Sequence, residues 1–210
     1  MMFIETLPIE QQKIYPLLKF AKDYHFVLFG GTAISLQIGH RVSVDFDFFS
    51  KEKLDSTLKK TILEKLQADN IIQDERDTLV YEKDGVKISF FGNIAFSTAE
   101  NSFMLDEVLR VANLKALLAT KLKATFDRAE YKDYKDIVEL LQLKDINLAI
   151  GINKMNDFFK GNISISQILK NLTYFDDGDL HKLNKEDRKI LVDHVNNYLQ
   201  EQQVKQQLGE

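Results

Sequence analysis

The chain contains no cysteine, so disulfide cross-links and thiolate metal ligands are both excluded, a usage that suits the cytoplasm. It has only two prolines, Pro8 and Pro16, both near the start. No apolar run approaches the roughly 18 residues of a membrane-spanning helix, and the opening MMFIETLPIE lacks the charged-then-apolar layout of a secretory signal, so no membrane association is expected. Excess positive charge is also missing: 28 Lys and Arg stand against 32 Asp and Glu, a net charge of −4. That balance excludes an indiscriminate grip on nucleic acid by bulk electrostatics and leaves room for a local basic patch. The Walker A pattern GxxxxGK[ST] is absent, as are internal repeats, and the one biased tract is the Gln-rich tail QEQQVKQQLGE, read as a helix end. What remains is 210 residues with 44% hydrophobic and 29% charged content, enough for one large domain or two small ones with a real core.

The chain is organised around residues 25–50, HFVLFGGTAISLQIGHRVSVDFDFFS. An apolar run at 26–29 leads into Gly30, Gly31 and Thr32, then a helix-compatible segment at 33–38 and a basic step at His40 and Arg41. A strand-like alternation follows and sets Asp45 and Asp47 on one face, since strand residues two apart share a side. Two carboxylates so placed can grip one divalent cation from a rigid support. Glycines let a bend present its backbone N–H groups closely to phosphate, and a helix that begins there adds its positive end. The interleaved Phe46, Phe48 and Phe49 predict one buried face and a second that carries only the acids. Ser43 shares the strand face of the acids, and Arg41 is placed to pair with Asp45 or Asp47 or to bind phosphate. His40 reads as a helix-end residue.

Around this stretch, residues 8–23 read as an amphipathic helix with Ile9, Ile14, Leu17, Leu18 and Ala21 on one face, Pro8 in its first turn and Pro16 kinking or splitting it. A second helix is expected at 55–66. Strands are expected at 71–75, 78–83 and 86–91, the last two joined by an Asp84-Gly85 hairpin turn. From Asn113 the period becomes helical, with a break at 129–132 and further helices at 147–160, 164–172 and 185–206. The fold class is thus α+β: a small mixed β-sheet core with flanking helices over residues 1–112, then a helical region over 113–210.

The pattern GGTA at 30–33 followed by HRVSVDFDFF at 40–49 resembles the nucleotidyltransferases of the AbiEii/AbiGii toxin family, distant relatives of the polymerase-β-type nucleotidyltransferases. A bare D-x-D is a weak signal; the full pattern with its spacing is specific. The resemblance implies a metal-dependent transfer of a nucleotidyl group from an NTP to an acceptor, with Mg²⁺ or Mn²⁺ held by Asp45 and Asp47. It further implies that Gly30, Gly31 and the Thr32 hydroxyl hold phosphate. Lys121 falls in a family-like L-x-A-x-K-L-x-A setting at 117–124, and Asp133 with Asp136 resembles a closing D-[FY]-x-D-[LI] element. Lys121 would then steady a phosphate. One of the two acids would orient Lys121 or Arg128, or act as a base on the acceptor, and a structural ion pair would explain Asp136 equally well. Lys123, Lys132 and Lys135 read as a solvated face. The helical region is expected to contribute to the active site, with Tyr174 and Phe175 buried and Asp176 and Asp177 facing water. The toxin half of a bacterial toxin–antitoxin or phage-defence pair follows, with RNA such as tRNA as acceptor and an antitoxin as partner.

One departure stands out. A third metal-binding carboxylate, common on a later strand of polymerase-β-type enzymes, is replaced by Ser89, which cannot be an anionic ligand. That leaves open a nucleotide-binding module of the same fold without turnover, or a structural protein whose acids are surface residues.

Overall fold

The computed structural model describes residues 2–208, which divide into two compact units, residues up to Asn113 and from Leu114 onward. The first unit carries a seven-stranded mixed sheet. After α1 (Ile9–Ile14), a ten-residue 3₁₀ stretch over Tyr15–Tyr24 leads into β1 (Val27–Phe29), α2 (Gly30–Ile38) and β2 (Asp45–Phe49). Then follow α3 (Ser56–Leu66), β3 (Asn70–Glu75), β4 (Thr78–Lys83), β5 (Val86–Phe91), β6 (Ser102–Met104) and β7 (Arg110–Ala112). The sheet order is β3-β4-β5-β2-β1-β7-β6; β2 runs parallel to β5, β1 runs parallel to β7, and the other neighbours are antiparallel.

The local reasons are legible residue by residue. Pro16 lacks the N–H that would continue the ladder of α1, so the chain tightens into 3₁₀ geometry. Three residues per turn then align Tyr15, Leu18 and Ala21 on the buried side and rotate Leu17 outward. Leu17 and Ile9 are both exposed, contrary to the expected apolar face. The Asp55 carboxylate caps α3 by accepting from the Leu58 N–H at 2.9 Å. Asp84 and Gly85 both have positive φ, 49° and 75°, as a tight hairpin between β4 and β5 requires. The two three-residue strands β6 and β7 are missing from the sequence reading, because so few residues carry no visible alternation.

One sheet face is the core. Phe46 and Phe48 of β2 pair in register with Ile88 and Phe90 of β5, and all four are fully buried with Leu79 and Tyr81 of β4. Phe90 stacks on Phe48 at 4.9 Å and takes the edge of Phe26 at 4.8 Å. The opposite face carries Asp45, Asp47, Lys87 and Ser89, but not acids alone. Strict alternation puts Phe49 on the side of Asp47, where it stacks on Phe29 at 4.9 Å and meets Phe91 and Phe96. The acidic face therefore has an aromatic end.

The second unit is helical: α4 (Leu114–Asp127), α5 (Tyr131–Leu141), α6 (Leu148–Phe159), α7 (Ile165–Asn171) and α8 (Lys185–Leu208). The helix α4 is central and packs against α5, α6 and α7. Gly151 of α6 lets it approach closely, since a Cβ there would stand 2.7 Å from the Leu118 side chain. Asn147 and Ser164 cap α6 and α7 through the backbone N–H groups of Ile150 and Gln167. Among the described residues no helix is long and apolar enough to cross a membrane.

Candidate active site

The bend between β1 and α2 is built by Phe29 in extended conformation followed by Gly30 at φ 73°, a value that disfavours any side chain. The antiparallel register sets Phe29 opposite Asp47, so the bend lies directly beside that acid. A Cβ on Gly30 would stand 2.9 Å from Asp47 Oδ2, and one on Gly31 would fall inside van der Waals contact of Arg41 Nη2 and 3.1 Å from Ser43 Oγ. Asp47 thus lies against Gly30, and Arg41 and Ser43 against Gly31, approaches that a side chain at either position of the bend would block. By helix geometry the first N–H groups of α2 have no intrahelical acceptor, and they carry the positive end of the helix dipole.

Asp45 and Asp47 project from the same face of β2, both part-exposed. Lys87, on the neighbouring parallel strand and in register with Asp45, sets its Nζ 3.4 Å from Asp45 Oδ2, and Ser89 is in register with Asp47. Among the described residues no group of three or more His, Asp or Glu gathers to hold a metal. The protein therefore offers two hard carboxylate oxygen donors, a set that fits Mg²⁺ or Mn²⁺, since Mg²⁺ keeps several waters and takes one or two protein carboxylates.

Thr32 behaves differently from the expected phosphate ligand. It is buried, and its hydroxyl donates to the Asp45 carbonyl oxygen, with Ser43 Oγ 2.9 Å away. With one hydrogen, that hydroxyl is engaged in tying α2 to the start of β2, and what Thr32 can offer a phosphate is its backbone N–H. Ser43 precedes the strand rather than lying in it, and it is buried beside Thr32, not on an open strand face. The pair fixes the height of the acids relative to the bend.

In the second unit, Lys121 of α4 is nearly buried and donates to Asp133 Oδ1 at 2.7 Å, while its Nζ also lies 2.7 Å from Asp136 Oδ2. Asp133 is 1% exposed and Asp136 0%. The spacing i, i+3 on α5 aims both carboxylates at one ammonium. Arg128 donates through Nε to Asp133 Oδ2 at 2.8 Å, so two cations meet two anions. Burial pushes the Asp133 carboxyl up, but the Lys121 ammonium and the Arg128 guanidinium outweigh that and hold it below its ordinary value. Asp136 is as deeply engaged as Asp133, so the two acids act as a pair around Lys121. Lys135 is not merely solvated: it bridges Glu139 and the buried Asp187, each at 2.9 Å. Lys123 pairs with Asp127 one turn on.

The family model described as "Nucleotidyl transferase AbiEii toxin, Type IV TA system" matches residues 15–208, nearly the whole chain. The chain belongs to this family. It is a nucleotidyltransferase, and the match spans both units. An uncharacterized protein of Aquifex aeolicus (strain VF5), aq_aa25, is 32% identical over 155 residues, covering 72% of this chain and 74% of its own. A crystal structure from H. pylori, of a protein provisionally designated a nucleotidyltransferase, superimposes with a TM-score of 0.58 at 19% identity over 89% of this chain and 92% of that one. At that identity the likeness shows the fold.

One charged neighbour of the candidate acids escaped the sequence reading. Lys87 could have been found from the register alone, because a parallel neighbour strand carrying Ser89 opposite Asp47 must carry Lys87 opposite Asp45. Arg128 is expected from the sequence as a partner for one of the two acids, and the structure joins it to Asp133.

Proposed function

We propose that the chain binds an NTP as its Mg²⁺ or Mn²⁺ complex and transfers the nucleotidyl group to a hydroxyl of an RNA acceptor such as tRNA. In this reading it is the toxin of a type IV toxin–antitoxin pair, with an antitoxin protein as its partner; the family description supports that role. The acceptor hydroxyl gives up its proton to water, its oxygen bonds to the α-phosphorus, and the bond from that phosphorus to the bridging oxygen breaks to release pyrophosphate. Asp45 and Asp47 would hold the cation, which when bound neutralises the triphosphate. The backbone N–H groups at Gly31 and Thr32 would donate to phosphate oxygens, and Arg41, whose guanidinium lies against Gly31, adds positive charge. Within the second unit, Asp133 and Asp136 hold the Lys121 ammonium in a buried ion cluster that keeps α4 and α5 together.

The observation that carries the reading is the closeness of acid and bend: Asp47 Oδ2 would touch a Cβ on Gly30 at 2.9 Å, so the carboxylate that would bind metal and the turn that would bind phosphate lie side by side within one unit. The test is incubation with each α-labelled NTP, Mg²⁺ and cellular RNA. Label in RNA with the native chain and none with Asp45→Asn or Asp47→Asn is the expected outcome.

A second reading has its own support. Ser89 and Lys87 occupy the strand positions beside the acids, with no third carboxylate among them, which favours nucleotide binding without turnover. In the same experiment that reading predicts NTP binding with all label remaining free.

A further inference from the structure

The second unit contains a cavity of about 250 Å³ lined by Phe126, Arg128, Tyr134, Gln167, Asn171 and Tyr174, among others. It is smaller than a site for a whole drug-sized ligand, roughly 300 Å³ and upward, and suits one flat ring. Two of its aromatics are left in solvent, Phe126 at 41% and Tyr174 at 53% exposure, although Tyr174 was expected to be buried. Burial therefore does not account for these rings, which line the cavity while part of each stays in solvent.

The polar walls are pre-arranged. Gln167 donates to Asn171 Oδ1 at 2.6 Å, and Asn171 donates to the Thr125 carbonyl at 2.7 Å, which fixes both amides. Gln167 is exposed, and its carbonyl oxygen and second N–H leave an acceptor and a donor for the polar edge of a nucleobase. Arg128 is anchored at Nε by Asp133, which holds its guanidinium plane in the wall. Gly178, at φ 52°, packs its Cα against the Ala129 carbonyl oxygen so tightly that any side chain there would collide, and this pins the 172–180 loop to the α4–α5 loop.

Charge decides against a phosphate. Arg128 is committed to Asp133, and the lining also includes Asp127 and Asp177, so an anion would meet two carboxylates. A neutral planar ring with donors and acceptors at its edge meets stacking faces, amides and an oriented guanidinium, the means by which proteins hold unpaired bases. We propose that this pocket binds a nucleobase, and that it is tied through Arg128 and Asp133 to Lys121. The proposal rests on the nucleotidyltransferase reading above and adds where a base is held.

The base can belong to the NTP or to the acceptor RNA, and the experiment separates them. Mg²⁺ complexes of the four NTPs, Mg²⁺-tripolyphosphate and a short single-stranded RNA are titrated into the native chain, Phe126→Ala, Tyr174→Ala and the ring-preserving Tyr174→Phe, with melting curves to verify folding. Loss of one stacking face weakens binding roughly five- to hundredfold, while Tyr174→Phe stays near native. If the alanine variants weaken NTP but not tripolyphosphate binding, the occupant is the substrate base; if they weaken RNA alone, it is an acceptor base. Folded alanine variants with native affinity for every NTP and for RNA overturn the proposal. A native chain that binds tripolyphosphate, NTP and RNA not at all removes the nucleotidyltransfer reading and the pocket with it.

Discussion

Replacing Lys121 by methionine tests the buried charge cluster of α4 and α5 directly. The native cluster balances Lys121 and Arg128 against Asp133 and Asp136, with both acids essentially out of water. Methionine keeps the volume and removes the ammonium that both acids share, leaving one uncompensated negative charge. Breaking a buried pair by deleting one partner costs about 3–5 kcal/mol, a large fraction of the roughly 5–15 kcal/mol that holds a typical domain. Neutralising the orphaned acid as well, in Lys121→Met/Asp136→Asn, should recover most of the loss, since matched removal of both partners is far less damaging. The pH dependence has a definite sign. Folding lowers the Asp133 pKa, so its contribution is fully present above the ordinary value of 3.8 and is lost as pH falls through the native value. The single variant lacks the Lys121 share of that effect, so its deficit should be widest at neutral pH and shrink below about pH 4. Urea unfolding of native, single and double variants across that range is the assay. A single-variant loss under about 1 kcal/mol, as for a surface pair, or a double variant no better than the single, would refute the reasoning.

Other perturbations separate structural from ligand-facing roles. Gly30→Ala forces a side chain into a left-handed residue and against Asp47, and should cost about 1–2 kcal/mol in thermal or urea unfolding. Gly31→Ala meets mainly the far end of the Arg41 side chain, which can shift more cheaply than backbone, so it should leave stability near native and weaken Mg²⁺·NTP binding in a calorimetric titration. Thr32→Val removes the tie to the Asp45 carbonyl and should lower stability by about 1–3 kcal/mol, with NTP affinity falling less than tenfold in the folded variant. Lys87→Met should change stability by less than about 1 kcal/mol because the pair with Asp45 is half exposed. It should also tighten Mn²⁺ binding, measured by the paramagnetic signal of the free ion, because a competing cation is gone.

Much of the fold was legible because local chemistry and global pattern agree. The alternation of residues 78–91 with Asp84-Gly85 between its two strands gave the hairpin, and the break expected at 129–132 overlaps the observed one at 128–130 between α4 and α5. The common face of Asp45 and Asp47 was legible as well, since i, i+2 spacing on a strand fixes it whatever surrounds it. What was not legible depends on partners distant in sequence. Phe49 follows the same alternation onto the acidic face, yet its cover comes from Phe29 and Phe96. The inward turn of Thr32 is set by Ser43 and the Asp45 carbonyl, and the helical period that placed Leu17 inside fails once Pro16 imposes three residues per turn.

The central claim is that the glycine bend and the two aspartates of β2 hold one metal–nucleotide complex. Thermal unfolding with NTP alone, Mg²⁺ alone and both together measures it most directly. Saturation at 100 times the dissociation constant adds about 2.7 kcal/mol. The native chain should gain that stabilisation only with both components present, and Asp47→Asn, similarly folded, should gain almost none. An equal gain in native chain and Asp47→Asn, or no gain in either, would contradict the account.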